Sequence, residues 1–239
     1  MHRHVIVTGA SRGIGKAVAL AFASAGDAVT ICSHASEGAL FAAAEDMRAA
    51  GAASVTALTG DVADPAFCRQ LADAAAPADI LIHSAGMAHY GLLQDMTDEE
   101  WDRLMAVNLS SAFYLSRAVI PGMVRAGHGK ILFISSVWGI AGASCEAAYS
   151  ASKGGLNALA KSLGKELAPA NIQVNALALG VIDTAMNGHL DAAERAALAE
   201  QIPAGRFGTP EEAAALALQL CTGNDYLTGQ VITLDGGFL

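Results

Sequence analysis

Short runs rich in β-branched residues alternate with longer segments of helical period from one end of this sequence to the other. The predicted strands cover residues 4–8, 28–32, 54–58, 80–83, 130–135, 173–177 and 230–234. The predicted helices lie between them, at about residues 13–25, 37–50, 65–75, 98–126, 147–168 and 210–221. Such alternation is typical of a parallel sheet covered on both faces, and right-handed crossovers make that sheet doubly wound. The sequence therefore predicts one α/β domain over residues 1–239, with about seven strands.

One stretch, residues 180–208, does not follow the alternation. It carries its own helical pattern, DAAERAALAEQI, between a Gly/Asn-rich and a Pro/Gly-rich joint. No linker rich in proline, glycine or serine divides the rest of the chain. In a parallel sheet, an insertion after the carboxyl end of a strand is a common place for a binding loop or lid. We therefore predict a substrate loop at about residues 180–208.

The composition narrows the classes of function. With 53% apolar and 15% charged residues in 239, the chain resembles a globular protein with a sizeable core. The net charge of −9 argues against nucleic-acid binding, which needs a concentrated basic face. No apolar run approaches the roughly 20 residues that span a bilayer, and the first residues do not resemble a secretory leader, so we expect a cytoplasmic protein without a membrane partner. The four scattered cysteines are expected to be reduced thiols, and no metal site is predicted.

A glycine-rich turn follows the first predicted strand. In VIVTGASRGIG, Gly9 permits a sharp exit from the strand, while Gly13 and Gly15 let the backbone approach a pyrophosphate and pack the next helix against the sheet. The N–H groups and positive dipole end at the start of that helix favour an anion. The spacing is G-x-x-x-G-x-G, and an ordinary βα turn can also contain such glycines. The place directly after the first strand favours a dinucleotide site and a Rossmann-type sheet.

The end of the second strand indicates which dinucleotide binds. NAD-selective sites usually carry an acidic residue there, which binds the ribose 2′-hydroxyl. This chain has Ser33 and His34 at that point, and Arg12 in the glycine turn can reach a 2′-phosphate. The alternative is that Arg12 is only solvated, but the missing carboxylate favours NADP(H). Asp61, just past the third strand, can accept from the adenine amino group, or it is an acid at the start of the next helix.

A tyrosine and a lysine stand four residues apart in the stretch AYSASK. On a helix, Tyr149 and Lys153 lie on one face, with Cβ atoms roughly 5–6 Å apart. An ammonium at that distance favours the phenolate, so the spacing predicts a lowered pKa for Tyr149. Such a phenol can act as a general acid, although the same spacing also occurs on solvated helix faces.

Six separated motifs, TGASRGIG, HSAG, VNLSSAF, ISSVWG, YSASK and NALALGVIDTAM, resemble the short-chain dehydrogenases/reductases in order and spacing. The likeness covers essentially the whole chain. It extends to bacterial 3-oxoacyl-[acyl-carrier-protein] reductases and to the related elongation factor P 5-aminopentanone reductases. It implies that Tyr149 protonates the carbonyl oxygen, and that Lys153 lowers the Tyr149 pKa and holds the nicotinamide ribose. Ser136, rather than Ser135, is implied to bind the substrate oxygen, and Asn108 to anchor a water that links the lysine to solvent.

The glycine turn and the resemblance together give the expected cofactor contacts. The residues expected to bind NADP(H) are Gly9, Ser11, Arg12, Gly13, Ile14, Gly15, His34, Asp61, Val62, Ser84, Ala85, Gly86, Tyr149, Lys153, Ile182 and Thr184. Of these, Ile182 and Thr184 are expected to meet the carboxamide through backbone and hydroxyl groups. Ketone reduction also needs a proton donor and a group that fixes the carbonyl, and Tyr149 and Ser136 can supply both.

The sequence departs from the family's pattern at three places. The usual Asn-Asn-Ala-Gly after the fourth strand is His83-Ser84-Ala85-Gly86, and His83 is expected to be a packed strand-end residue. The usual Pro-Gly after the sixth strand is Leu179-Gly180, so this turn lacks proline's fixed φ. The two arginines that carrier-dependent reductases present near the site are Gly127 and Ala170 here. Four cations nearby in sequence could compensate: Arg125, His128, Lys130 and Lys165.

The sequence as a whole predicts NADPH-dependent reduction of a ketone to a secondary alcohol, most like a 3-oxoacyl-[acyl-carrier-protein] reductase of fatty acid biosynthesis. The substrate is a small or carrier-tethered ketone, and an acyl carrier protein is one candidate partner. Two alternatives stay open: a reductase of another ketone, such as 5-aminopentanone-modified elongation factor P, and a catalytically silent NADP(H) sensor.

The resemblance also implies a homotetramer built on the two long helices at about 98–126 and 147–168. The second of them carries a stripe of leucines along one side. That stripe is either a subunit face or intrachain core. Its members are Leu156, Leu159, Leu163 and Leu167.

Overall fold

The structure, a computed structural model, describes residues 2–34, 36–188 and 190–239. In this part of the chain, seven strands form one sheet in the order β3-β2-β1-β4-β5-β6-β7, and every neighbouring pair is parallel. The strands are β1 (His4–Thr8), β2 (Ala28–Ser33), β3 (Ser54–Thr59), β4 (Ile80–His83), β5 (Gly129–Ser136), β6 (Ile172–Leu179) and β7 (Val231–Leu234). The predicted doubly wound sheet is confirmed, and its strand order reverses between β1 and β4.

Helices cover both faces of the sheet. Those of the described residues are α1 (Gly13–Ser24), α2 (Glu37–Ala49), α3 (Pro65–Ala74), α4 (Asp98–Met105), α5 (Ser111–Ala126), α6 (Trp138–Ala141), α7 (Ala147–Leu167), α8 (Ala192–Gln201) and α9 (Pro210–Leu220). Helices α1, α2 and α9 share one buried apolar cluster with the sheet, which includes Phe22 and Met47. Helices α3, α5 and α7 share the other, which includes Leu115 and Leu156. The two clusters bury the central strands on both sides, and all eight residues of β6 are buried.

The segment predicted as one helix over residues 98–126 is helical throughout, with these bounds, but its winding changes in the middle. Between α4 and α5 lies a π-helical turn, Ala106–Ser110, which the sequence did not predict. Ser111 donates its hydroxyl hydrogen to the Val107 carbonyl oxygen at 2.5 Å, which gives that buried carbonyl a side-chain partner. Turns of this kind are often found at functional sites, because the extra residue changes the direction of neighbouring side chains. Here the turn contains the buried Asn108.

The insertion at 180–208 folds over the carboxyl edge of the sheet. It contains a short 3-10 turn, Ala185–Asn187, and helix α8, whose first turn is closed by a capping box between Asp191 and Glu194. A parallel bridge between Ile182 and Gly208 joins its two ends. His189, which belongs to the predicted substrate loop, lies outside the described residues.

The leucine stripe of α7 divides between two environments. Leu156 and Leu167 are buried in the core, whereas Leu159 and Leu163 are half-buried and line a surface groove against α5. Cys32, Cys68 and Cys221 are buried free thiols, and Cys145 is an exposed one. In the part of the chain that the structure describes, no helix combines the length and apolar character needed to span a membrane.

Candidate active site

A cavity of about 800 Å³ opens at the carboxyl ends of β1 and β4, where the strand order reverses. Open α/β sheets bind their ligands at such a crevice. All sixteen residues expected to bind the cofactor line this cavity, and so does Ser136. Asn108 lies behind its wall, and its contacts are described below. The structure therefore brings the predicted site residues, from eight separate parts of the chain, to one place.

The glycine turn between β1 and α1 has the shape of a phosphate cradle. Gly9 has φ +67°, and a Cβ there would lie 2.9 Å from the Ala85 Cα, so β1 and the turn after β4 approach closely. A Cβ on Gly15 would overlap the Gly9 carbonyl oxygen. A Cβ on Gly13, at φ +56°, would meet the Thr184 side chain at 3.6 Å, an ordinary contact distance, and no side chain caps the first turn of α1. These features fit a dinucleotide pyrophosphate, because the N–H groups of α1 point toward the cavity without a side-chain acceptor.

The departure from the family's pattern after β4 is accommodated by Thr8 and His83. The Thr8 hydroxyl oxygen accepts from the N–H groups of Ser84 at 3.0 Å and Ala85 at 2.9 Å, which holds this turn against β1. The His83 ring is fully buried, and its Nε2 lies 2.7 Å from the Ser111 hydroxyl. Burial, followed by the charge of Lys153, lowers the pKa of His83 to about 3, so the ring is neutral. The prediction of a packed strand-end residue is confirmed.

The end of the cavity where the adenosine is expected contains an ion pair that we did not predict. Arg103, from α4, places Nη1 2.6 Å from the Asp61 Oδ2. His34, at the end of β2, places Nε2 3.9 Å from the same oxygen. Burial raises the pKa of Asp61, but the hydrogen bonds from Arg103 and from the Ala63 N–H outweigh it, and the net pKa is lowered. Asp61 does not cap the next helix, since Asp64 does so by accepting from the Ala66 N–H at 2.8 Å.

Tyr149, Ser136 and Lys153 meet at the end of the cavity where the nicotinamide is expected. The Lys153 Nζ lies 5.6 Å from the centre of the Tyr149 ring and donates to the Ile134 carbonyl oxygen at 2.9 Å. Ser136 reaches the Tyr149 hydroxyl, whereas Ser135 donates to the Lys153 carbonyl oxygen at 3.3 Å. Ser136 is therefore the better placed of the two serines.

The pKa of Tyr149 differs from the one that we predicted. Burial raises the pKa of Tyr149 well above 10; the hydrogen bond to Ser136 opposes this, and the charge of Glu146 adds to it. Burial also lowers the pKa of Lys153 to about 8. The predicted lowering of the Tyr149 pKa is thus wrong, because the loss of water around the phenol outweighs the nearby ammonium. The phenol stays protonated over the whole neutral range.

Asn108 holds two parts of the wall together with its side chain. Its amide nitrogen donates to the Met87 carbonyl oxygen at 2.9 Å and to the Ser152 hydroxyl at 3.0 Å. Its amide oxygen accepts from the Met87 N–H at 2.8 Å. The side chain thus joins the segment after β4 to α7, on which Tyr149 and Lys153 lie.

The wall beyond Tyr149 was not predicted. It consists of three aromatic or acidic residues and three apolar ones: Tyr90, Trp138, Glu146, Met186, Leu190 and Leu198. Two of them had a local signal, since Trp138 follows Ser136 by two positions and Glu146 precedes Tyr149 by three. The apolar three belong to the insertion at 180–208, so this segment does contact the cavity.

The other departures from the family's pattern also have defined surroundings. The turn at Leu179 is tied down because its carbonyl oxygen accepts from the Val137 N–H at 2.9 Å and the Gly180 N–H donates to the Leu234 carbonyl oxygen at 2.9 Å. At the positions of the absent arginines, the Gly127 carbonyl oxygen accepts from Asn171 at 3.0 Å. Two of the nearby cations face carboxylates, Lys130 on Asp225 at 2.8 Å and His128 on Asp79 at 3.7 Å.

Comparison with known proteins gives concordant matches over the length of the chain. The family described as short chain dehydrogenase matches residues 3–195. The 3-oxoacyl-[acyl-carrier-protein] reductase FabG of Escherichia coli (strain K12) is 38% identical over 233 residues, which are 97% of this chain and 95% of that protein. The oxidoreductase YmfI of Bacillus subtilis (strain 168) is 34% identical over 240 residues, covering 100% and 99%. The crystal structure of 3-oxoacyl-[acyl-carrier protein] reductase from Brucella melitensis superimposes with a TM-score of 0.93 at 33% identity and covers 99% of this chain and 91% of that one.

Proposed function

This chain belongs to the short-chain dehydrogenase family, and from that premise we propose that it is an NADPH-dependent reductase that converts a ketone to a secondary alcohol. The observation that carries the proposal is the meeting of Tyr149, Ser136 and Lys153 at one end of a cavity whose other end is the glycine turn. The likeness to 3-oxoacyl-[acyl-carrier-protein] reductases makes a 3-oxoacyl thioester the first substrate to test, with fatty acid biosynthesis as the corresponding role.

The side chains divide the work of reduction among them. The bound nicotinamide supplies the hydride. Ser136 donates a hydrogen bond to the substrate oxygen and so orients the carbonyl. This hydrogen bond strengthens as negative charge develops on the oxygen. Tyr149, kept protonated by its buried surroundings, gives its proton to that oxygen. Lys153 holds a positive charge beside the phenol, which stabilises the phenolate left after the proton has moved.

Two features support NADPH rather than NADH as the cofactor. The end of β2 carries His34 and no carboxylate of its own, and Arg12 of the glycine turn lines the same end of the cavity. Both side chains are suited to a 2′-phosphate, whereas a site for the free 2′-hydroxyl usually has an acid at this place. Separately, by the likeness to the family, we assign to Asn108 the role of anchoring a water molecule through which Lys153 regains protons from solvent.

The experiment measures loss of NADPH absorbance with acetoacetyl thioesters and with small ketones. The wild type should turn over at least one of them with NADPH, and Tyr149→Phe should lose the activity by at least a thousandfold while NADP⁺ still binds, since the proton donor alone is removed. If the wild type binds NADP⁺ but reduces no ketone, the protein is a sensor of the cofactor and the proposal fails.

Glu146 favours a second candidate within the same reaction class. Its carboxylate lines the cavity, and its charge adds to the larger effect of burial in raising the pKa of both Tyr90 and Tyr149. The Tyr90 and Trp138 rings line the same cavity. A carboxylate among aromatic rings suits an organic ammonium group. This favours an amino ketone, such as 5-aminopentanone-modified elongation factor P, over an acyl carrier protein. Comparing these substrates, with Glu146→Gln as the variant, separates them, because only reduction of the amino ketone should weaken.

The proposed assembly is a homotetramer in the cytoplasm. The groove between α5 and α7, about 310 Å³ in volume, is lined mostly by apolar side chains, which include Leu159, Leu163 and the half-exposed Phe113, with Ser116, Arg117 and Glu166 among them. An apolar surface of this kind suits contact with another copy of the chain. Light scattering after size-exclusion chromatography tests the assembly, and a monomer at micromolar concentration would exclude it.

A further inference from the structure

The ion pair between Arg103 and Asp61 joins two segments that are distant in sequence but meet at the adenosine end of the cavity. The two residues are 42 positions apart, and Nη1 lies 2.6 Å from Oδ2. Arg103 approaches from α4 and Asp61 from the turn after β3. Both side chains line the cavity and are partly exposed, at 39% and 29%. The pair is therefore accessible to a ligand in the cavity.

Asp61 also lies beside the position that distinguishes the two dinucleotides. The Nε2 of His34, at the end of β2, is 3.9 Å from the same Asp61 oxygen that Arg103 contacts. In this fold, the adenosine ribose of a dinucleotide lies at the end of β2. A negative charge on Asp61 therefore acts on the place where a 2′-phosphate would bind, although Asp61 is not at the position where an acidic residue normally selects NAD.

An uncompensated carboxylate at this place opposes a phosphate. Two like charges within a few ångströms in a partly desolvated cavity repel each other, and the site then favours the neutral 2′-hydroxyl. Arg103 removes that repulsion by forming a direct ion pair with the carboxylate. The Asp61 oxygen atoms still hold their positions, since Oδ1 accepts from the Ala63 N–H at 2.9 Å.

We propose that Arg103 is a specificity-determining residue, which permits binding of the 2′-phosphate of NADP(H) by neutralising Asp61. This inference rests on the proposed NADPH-dependent function and adds to it the residue that makes an acid in the cavity compatible with the phosphate. Arg103 acts through Asp61, so it is a positioning residue rather than a catalytic one. The competing reading is that the pair only ties α4 to the turn after β3, and surface ion pairs of that kind contribute little.

The test uses calorimetric titration of the full chain with NADP⁺ and with NAD⁺. The variants are Arg103→Met, Asp61→Asn and the double variant, and Arg48→Met removes an exposed helix pair with Glu45 as a matched control. We expect Arg103→Met to lose about tenfold in NADP⁺ affinity and less than about twofold in NAD⁺ affinity, because only the phosphate is repelled. The double variant should recover NADP⁺ affinity to within about threefold of the wild type, since its carboxylate is gone. Arg48→Met should change neither affinity.

The outcomes separate the inference from the function on which it rests. If the wild type binds NAD⁺ as tightly as NADP⁺, the proposed NADPH dependence fails. If the wild type prefers NADP⁺ and Arg103→Met keeps that preference, or weakens both cofactors equally, the role of Arg103 is refuted while NADPH dependence stands. A double variant that binds NADP⁺ as weakly as Arg103→Met also refutes it, because Arg103 would then contact the phosphate itself. Steady-state kinetics should show the change in the KM for NADPH with kcat nearly unchanged.

Discussion

Replacing Lys153 with methionine should make the protein more stable near neutral pH while abolishing its proposed activity. Lys153 is 4% exposed, and its Nζ donates to the Ile134 carbonyl oxygen at 2.9 Å. Burial lowers its pKa from 10.5 to about 8. The folded protein nevertheless carries the ammonium at pH 7, and keeping that charge in the interior costs free energy of folding.

The size and pH dependence of this cost follow from the two pKa values. A difference of about 2.5 pH units corresponds to roughly 3 kcal/mol, fully present below about pH 8. Between about pH 8 and 10.5 the unfolded chain binds more protons at this lysine than the folded one, so stability rises with pH and the cost disappears. Methionine avoids the cost but loses the hydrogen bond to Ile134, worth about 1 kcal/mol. We expect Lys153→Met to be more stable by about 2 kcal/mol near pH 7 and nearly equal near pH 9.5.

Urea unfolding at both pH values, at one protein concentration, measures this difference. Lys161→Met, at an exposed position of the same helix, is the matched control and should change stability by less than about 0.5 kcal/mol at either pH. The reasoning is refuted if Lys153→Met is no more stable than the wild type near neutral pH, or if its advantage does not shrink as the pH rises.

Two further predictions concern the frame of the site. Asn108→Ala removes three hydrogen bonds made by a buried side chain and should lower the free energy of unfolding by about 3 kcal/mol. Asn157→Ala loses one hydrogen bond and should cost about 1 kcal/mol, so equal losses in urea unfolding would contradict this. Gly15→Ala should cost at least about 2 kcal/mol and abolish NADP⁺ binding, because its Cβ overlaps the Gly9 carbonyl oxygen. Gly38→Ala, where a Cβ meets open space, should gain about 0.5 kcal/mol and bind NADP⁺ normally, and similar behaviour of the two variants would count against the cradle.

The sheet was predictable because its strands are short apolar runs between turn residues. The bounds of β1 and β4 agree with the prediction to the residue, and β6 continues only two residues beyond it, to Leu179. The helix over 98–126 was predictable with its bounds, but its π-helical turn at Ala106–Ser110 was not, since one extra residue in a turn leaves the apolar period on both sides nearly unchanged. Hydrogen bonds made by Ser111 and Asn108 accompany this turn, and they depend on partners that are distant in sequence.

The candidate site was predictable where its residues share a local motif, and not where they depend on pairing across the fold. The glycine turn and the Tyr149–Lys153 spacing are local, and both residue sets line the cavity. The contact of Arg103 with Asp61 joins residues 42 positions apart, and no local sequence pattern around either residue indicates that the two pair. Without the fold, Asp61 could be assigned to adenine or to a helix start, but not to an ion pair.

The pair of Tyr149 and Lys153 shows why spacing alone does not determine chemistry. A spacing of four residues on a helix brings the phenol and the ammonium close together, and in water the ammonium would favour the phenolate. Burial opposes this effect, because the charged form of each group loses solvation in the interior. It raises the pKa of the phenol and lowers the pKa of the ammonium. In the proposed reduction, the neutral phenol beside a charged lysine is the state that a proton donor needs before hydride arrives. Negative charge would form only when the proton leaves, and it would then form next to the ammonium. The same burial that destabilises the charged form of Lys153 in the resting protein thus places that charge where the proposed reduction of a ketone needs it.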